Sequence, residues 1–307
     1  MTTQRVMLCV ITALLPAVIS AGYYFGLRAL MLIAVCVMSS MLFEGLTRII
    51  MKREQTVTDL SAAVTGLILG LNLPVTLPFW QATVGSFVAV VIVKQLFGGL
   101  GQNFANPAVV ARIVLMLSFT SDMTTWAVPK YYSIKNVADS AEFITIGNDR
   151  IVTGATPLIT GDAGYKDLFL GNIGGSIGET CSLALLIGGL YLIVRRIISP
   201  AIPFTFIGTV ALLDFVAGND VLFNLLSGGL LLGAFFMATD YVTTPITTKG
   251  KIIFGIGCGL ISFIIRNFSG SYPEGVSFAI LLMNIITPYI DRFTMTKPFG
   301  AVKEAKK

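Results

Sequence analysis

The sequence predicts an all-α polytopic membrane protein, with about ten transmembrane helices in a pseudo-two-fold inverted-repeat bundle. Three observations carry that expectation. Hydrophobic residues make up 55% of the 307-residue chain and charged residues only 12%, with a mean hydropathy of +0.83; soluble domains carry about 25% charged residues. Apolar blocks of helical length recur along the chain. Leu60–Leu117 and Leu226–Met283 share a rhythm: a glycine-containing span, a polar turn with proline, a second span, a Gly/Asn turn and a third span. By this reading the third span matches the eighth, and an odd offset makes the repeat inverted.

Taken in order, Met7–Ser20 is the first span. Arg5 precedes it and no small-residue cleavage site follows, so it reads as a helix and not as a removed signal segment. Gly22 to Arg28 reads as a short turn, Leu30–Phe43 as part of a second span that starts a few residues earlier, and Glu44–Asp59 as a basic loop. Leu60–Leu73 is a short third span ending at Asn72-Leu73-Pro74; Trp80–Phe97 is the fourth; Pro107 opens a fifth that ends near Phe119. Glu179–Val194, Ile202–Ala217, Val221–Ala238, Ile252–Ile265 and Val276–Ile290 complete the set. The chain divides into first-half helices (1–120), an extracytoplasmic loop (121–177), second-half helices (178–292) and a basic cytoplasmic tail (293–307). Cations favour one side by about two to one, which places both termini in the cytoplasm and the long loop outside. The inner set includes Arg48, Lys52, Lys94, Arg195, Arg196 and Lys251; Arg28, Lys130 and Arg266 fall outside.

Composition also excludes chemistry. The chain has no histidine, which removes histidine-ligated haem, the usual catalytic zinc sites and histidine acid–base chemistry. Cys9, Cys36, Cys181 and Cys258 share no metal-type spacing and read as buried packing residues. The net charge of +5 reflects cations at helix ends and does not point to nucleic acid. The solvent of this chain is the lipid bilayer.

Polar groups inside spans are expensive, so each is a candidate. Arg112 lies two turns into the fifth span, where snorkelling to the surface is one reading. Asp214 and Asp240 are candidates for an ion pathway. In the long polar interval stands Ile151-Val152-Thr153-Gly154-Ala155-Thr156-Pro157-Leu158. Gly154 and Ala155 leave little bulk before the Thr156 hydroxyl, and Pro157 favours an exposed, stiffened turn.

Thr153-Gly154-Ala155-Thr156 resembles the flavin-attachment motif, Ser/Thr-Gly-Ala-Thr, of a family of membrane subunits. That family includes the D subunit of the Rnf electron-transport complex and the B subunit of the sodium-pumping NADH:quinone oxidoreductase. The resemblance covers nearly the whole chain, most clearly from about Leu60 to Arg292. In the family an acid usually stands six residues before the acceptor; here that position is Arg150 and the acid is Asp149. The resemblance implies FMN held through a phosphoester to Thr156, with Thr153, Gly154 and Ala155 beside it, attached by a separate flavin transferase. It also implies a non-covalent riboflavin or FMN in the bundle. Two polar turns could receive flavin groups at broken-helix ends, one at Asn106 and one spanning Arg266, Tyr272 and Glu274.

The implied function is electron relay in a ferredoxin:NAD⁺ oxidoreductase coupled to Na⁺ or H⁺ movement. Nucleotide and iron–sulfur sites would lie on partner subunits of A, B, C, E and G type, and this chain alone holds no complete active site. The chain ends and the outer loop resemble the D type more than the B type, which stays as an alternative. From the residues alone, a non-redox transporter of ions or small solutes is the other reading.

Overall fold

Residues 2–133, 143–146, 149–161, 163–268 and 275–295 are described by a computed structural model. Tyr272, Glu274 and the tail beyond Met295 lie outside the described residues.

The chain opens with α1 (Thr3–Ile50), which is two helices joined at one residue. Gly26 has φ 73°, and Gly22 meets Leu30, eight positions on. In a straight helix those residues would be about 12 Å apart, so the chain folds back on itself. The expected turn over Gly22–Arg28 thus shrinks to Gly26, and both flanking helices are longer than their apolar blocks suggest. Each limb is roughly 35 Å long at 1.5 Å per residue, enough to cross a bilayer.

Next come α2 (Ser61–Leu71), α3 (Phe79–Phe87, continuing as a π-helix over Val88–Gln95) and α4 (Pro107–Ser118), followed by the single turn α5 (Thr120–Met123). Helix α2 is too short to cross a membrane, and the chain continues from Asn72 to Pro78 without helix. Arg28 holds that segment. Its Nε donates to the Val75 carbonyl (2.9 Å), its Nη2 to the Leu77 carbonyl (3.3 Å), and its guanidinium lies 5.0 Å from the Phe79 ring centre. Charge counting puts Arg28 among the outer loop cations; the structure buries it, because the broken backbone needs donors where water is absent.

The second half holds α8 (Ser182–Val194), α9 (Ala201–Ala217), α10 (Val221–Leu226), α11 (Leu230–Leu232, continuing as a π-helix over Gly233–Met237), α12 (Thr248–Phe268) and α13 (Val276–Thr294). The expected eighth span is therefore two pieces. Ser227 is extended and Gly228 adopts φ 65°, which ends α10 before α11 begins.

The region between the halves departs from the all-α expectation. β1 (Trp126–Ala127), β2 (Phe143–Ile146) and β3 (Asp149–Gly154) form an antiparallel sheet in the order β1-β3-β2, with Trp126 opposite Gly154 and Phe143 opposite Val152. The β-branched residues of Ile151-Val152-Thr153 suit this pairing. The short helices α6 (Pro157–Thr160) and α7 (Tyr165–Leu170) follow.

The helices of α1, α12 and α13 are long and apolar enough to cross a membrane, and five further helices or helical runs of 10–17 residues are apolar. Ile19, Leu27, Phe204 and Phe215 stand exposed on the outside, as lipid-facing residues do. Close helix crossings use small residues. A Cβ on Gly66 would lie 2.5 Å from the Cys36 carbonyl oxygen, so α2 meets α1 backbone to backbone. Gly66→Ala should lower stability by about 1–3 kcal/mol, read as a lower thermal midpoint in detergent. Gly208→Ala, where added bulk meets nothing within 4 Å, should leave the midpoint unchanged or raise it. Equal behaviour of the two variants would contradict this packing.

Candidate functional site

Pairing of β3 with β1 delivers Thr156 to the bundle. The strand ends at Gly154; Gly154 and Ala155 are exposed, whereas Thr156 turns inward and is 4% exposed. Thr153, paired opposite Ala127, is half-buried. Thr156 takes the extended N-cap position of α6 with Pro157 as the first helical residue. The expected exposed turn is thus limited to Gly154–Ala155.

The Thr156 side chain lines a small pocket with Leu158, Gly174, Gly175, Glu179 and Gly228. Gly174 and Gly175 form the bare wall of this pocket. Gly228 is fixed as glycine twice over: φ is positive, and a Cβ would lie 2.7 Å from Leu158 Cδ1 and 3.1 Å from Arg266 Nη2. Arg266 therefore stands behind the pocket wall. It lies within α12, not in a turn, and donates to the carbonyls of Asn224 (2.8 Å) and Ser227 (3.3 Å), the open end of α10.

The inner wall is Glu179, 3% exposed. Its Oε1 accepts from the Ser176 N–H (2.9 Å), and its Oε2 lies 3.7 Å from Arg112 Nη2. Arg112 does not snorkel; it is 2% exposed at the centre of the bundle. It donates to Asn72 Oδ1 (2.8 Å), Ser277 Oγ (3.3 Å) and Ser176 Oγ (3.4 Å). One side chain thus joins the end of α2, the start of α13 and the segment beneath Thr156. That segment also caps α2 directly, since the N–H groups of Ile177 and Gly178 donate to the carbonyls of Leu73 (3.0 Å) and Leu71 (2.7 Å).

Polar contacts continue to the opposite end. Asn72 Nδ2 lies 3.5 Å from Met237 Sδ, and Asn106 Nδ2 donates to the Met237 carbonyl (3.0 Å). Asn106 Oδ1 meanwhile caps α4 through the N–H of Ala108 (3.0 Å) and Val109. Asn284, with its amide oriented to satisfy both neighbours, accepts from the Asn106 N–H (3.1 Å) and donates to the Thr243 carbonyl (3.2 Å). Thr243 Oγ1 donates to Asp240 Oδ2 (3.2 Å).

Asn106 and Asp240 line a second, larger cavity of about 100 Å³, together with Ser61, Lys94, Phe235 and Phe236. The structure therefore brings Arg266 to Thr156 and sends Asn106 and Asp240 to the other pocket. Asp214 joins neither: it is 2% exposed and accepts from Asn219 (3.1 Å) and Asn224 (3.0 Å).

Glu179, Gly228 and the pairing of Glu44 with Lys94 do not stand out in the sequence as site features, yet the structure places them in or beside the two pockets. Lys94, read there as an inner-loop cation, lies in the π-helix and bonds Glu44 Oε1 (2.8 Å) and Ser61 Oγ (2.6 Å). Gln95 donates to the same Glu44 oxygen (2.7 Å). A signal for Glu179 was available: it stands at the foot of a span, 67 residues from a cation within another. Among the described residues no group of His, Cys, Asp and Glu could hold a metal ion.

Fold and site together define a multi-pass helical membrane protein whose inserted loop docks a buried threonine against the bundle. The family model for "NQR2, RnfD, RnfE family" matches residues 1–300, and the chain belongs to that family. It is 47% identical, over 99% of its length and 93% of the relative's, to the D subunit of the Na⁺-translocating ferredoxin:NAD⁺ oxidoreductase complex of Acetobacterium woodii. It is 40% identical to the D subunit of the proton-translocating ferredoxin:NAD⁺ oxidoreductase complex of Clostridium ljungdahlii, over 97% of this chain and 92% of the relative. To the D subunit of the ion-translocating oxidoreductase complex of Stutzerimonas stutzeri it is 39% identical, with the same coverage.

Removing Arg112 would strand the buried Glu179 carboxylate. Arg112→Met should cost about 3–5 kcal/mol, and Arg112→Met/Glu179→Gln should recover part of that loss; unfolding midpoints of the two variants check it. The docked loop is also clipped by the Tyr165 hydroxyl, which donates to Asp220. The Tyr165 hydroxyl and then the Phe223 N–H hold the Asp220 carboxyl below its ordinary value. A depressed carboxyl stabilises the folded form above its unfolded pKa, about 3.9, and loses that contribution as pH falls through the folded value. Limited proteolysis of the loop should therefore stay constant from pH 8 to about pH 5 and rise only in stronger acid.

Proposed function

We propose that this chain is a membrane flavoprotein subunit of an ion-translocating ferredoxin:NAD⁺ oxidoreductase complex, relaying electrons through FMN esterified to Thr156. The observation that carries the reading is the placement of Thr156. The last residue of a Thr-Gly-Ala-Thr motif leaves a paired strand, turns into a glycine-walled pocket and faces a buried Glu179–Arg112 pair. The names of the relatives point the same way.

The residues present fit the phosphoester end of such a group. Gly174, Gly175 and Gly228 keep the wall free of side chains, and the Arg266 guanidinium stands behind Gly228. A tricyclic ring system is far larger than this pocket, and the exposed backbone at Gly154–Ala155 is the way out of it. The bound flavin supplies the redox chemistry. This chain's residues anchor the tether, set its charge environment and keep water from the ester. Because Thr156 is buried, a separate flavin transferase reaches its hydroxyl only while α6 and the Ile173–Gly175 segment stand away from the bundle. Attachment then precedes docking of the loop.

The cavity bounded by Lys94, Asn106, Phe235 and Asp240 has the aromatic and apolar walls and the few convergent polar groups of a ligand site; at about 100 Å³ it is smaller than a flavin, so a second, non-covalent riboflavin or FMN would enter it only with its walls moved apart. The chain of polar contacts from Glu179 to Asp240 lies between the two pockets. Nucleotide and iron–sulfur chemistry belongs to partner subunits of A, B, C, E and G type.

The architecture is read as ten crossings in two inverted halves, with both termini cytoplasmic and the Thr156 loop outside. Support comes from the breaks after α2 and after the α11 π-segment. Each is followed by proline (Pro74, Pro245), and they meet at Asn72 and Met237. The coupling ion is Na⁺ or H⁺: relatives of both descriptions match over nearly the whole chain.

On a denaturing gel under ultraviolet light, the wild-type chain co-expressed with a flavin transferase should fluoresce and Thr156→Ala should be dark. Two dark bands would remove the flavoprotein reading in favour of a non-redox transporter, and two bright bands would move the tether to another residue.

A further inference from the structure

At the end of the bundle that holds the chain's N-terminus, a groove of about 520 Å³ opens between the α8–α9 turn and the start of α12. It is lined by Arg196, Lys251, Ser199 and Tyr241, with Ile193 and Ile197 as its apolar floor. We propose that this groove binds the phosphodiester headgroup of an anionic phospholipid, of the phosphatidylglycerol or cardiolipin class.

Three features fit that occupant. The first is charge. Arg196 and Lys251 come from separate elements, and among the described residues neither forms an ion pair. Arg195 and Lys249 stand exposed beside them. A guanidinium and an ammonium converging on one cleft, with the Ser199 and Tyr241 hydroxyls as further donors, match the oxygens of a phosphodiester.

The second feature is backbone geometry. Arg196 has φ 55°, the left-handed region that non-glycine residues rarely occupy. It is held there because its N–H donates to the Ile193 carbonyl (2.9 Å) and the next N–H, of Ile197, donates to that of Leu192 (2.9 Å). These two bonds close α8 and fix Arg196 at the mouth of the groove.

The third is what lies next to the charges. Leu190 (61%) and Val194 (71%) on α8, and Ile252 (39%) and Ile253 (48%) on α12, are exposed apolar residues beside the cations. A ligand anchored here by phosphate lays the rest of its length on hydrocarbon-facing surface, which selects an amphiphile over a free anion or an acidic peptide. The groove also shares Ile197, Ile198 and Tyr241 with the wall of the inner cavity, so a seated lipid would close that cavity's side.

The test uses the full chain, delipidated and placed in phosphatidylcholine nanodiscs. Tetraoleoyl cardiolipin or dioleoyl phosphatidylglycerol is titrated in and bound lipid is counted by native mass spectrometry. Wild type should retain one anionic lipid, and Arg196→Gln/Lys251→Gln should weaken its retention at least tenfold, on the scale expected for two cations at a membrane surface. Arg5→Gln/Lys52→Gln removes two exposed cations near the same end and should retain the lipid as wild type does. Equal loss in both double variants would mean diffuse attraction and overturn the site, as would no retained lipid in wild type. Displacement by millimolar inorganic phosphate would show a free-anion site and overturn the lipid assignment.

Discussion

The structure depends on satisfying polar backbone where a helix stops inside an apolar bundle. Helix α2 ends at Leu71 with carbonyls facing the interior, and α4 and α13 begin there. No water competes for such groups in a membrane, so each open end needs a protein partner. Arg112 supplies one centre for this: it reaches Asn72, Ser277 and Ser176 and faces Glu179. Five donors in a rigid fork suit it to joining several elements at once. Arg28 does the same for the Val75–Leu77 backbone nearer the surface.

That solution ties the inserted loop to the bundle. Ile177 and Gly178 close the end of α2, and Glu179, one residue further, is both the partner of Arg112 and the wall of the Thr156 pocket. The position of Thr156 is thus set from two sides, by the sheet above it and by the helix ends below. A change at Arg112 would be felt at Thr156 without touching it. The polar contacts run on from Asn72 to the Met237 sulfur, and from the Met237 carbonyl through Asn106, Asn284 and Thr243 to Asp240, so polar groups joined through Met237 line the way between the two pockets.

Much of this is legible in the sequence. Apolar blocks give the helices because 20 or so apolar residues have few alternatives. Asn106-Pro107 marks the start of α4 by cap chemistry, as the structure shows. The Thr-Gly-Ala-Thr run singled out Thr156. What stayed hidden depends on contacts across long separations. Charge counting treats Arg28 and Lys94 as loop cations, although Val75, Leu77 and Glu44 bury them. Hydropathy reads Val221–Ala238 as one span because Ser227-Gly228-Gly229 is small and not polar enough to interrupt it, yet Gly228 turns the chain. Strands of two to six residues are too brief to announce a sheet inside a polar loop.

The central claim is that Thr156 carries the flavin that makes this chain an electron carrier. Peptide mass mapping of the chain purified from its native membrane tests it most directly. The account predicts that the proteolytic fragment containing Thr156 is heavier by FMN less one water, with fragmentation placing the added mass on Thr156. An unmodified Thr156 fragment recovered in full yield would contradict it.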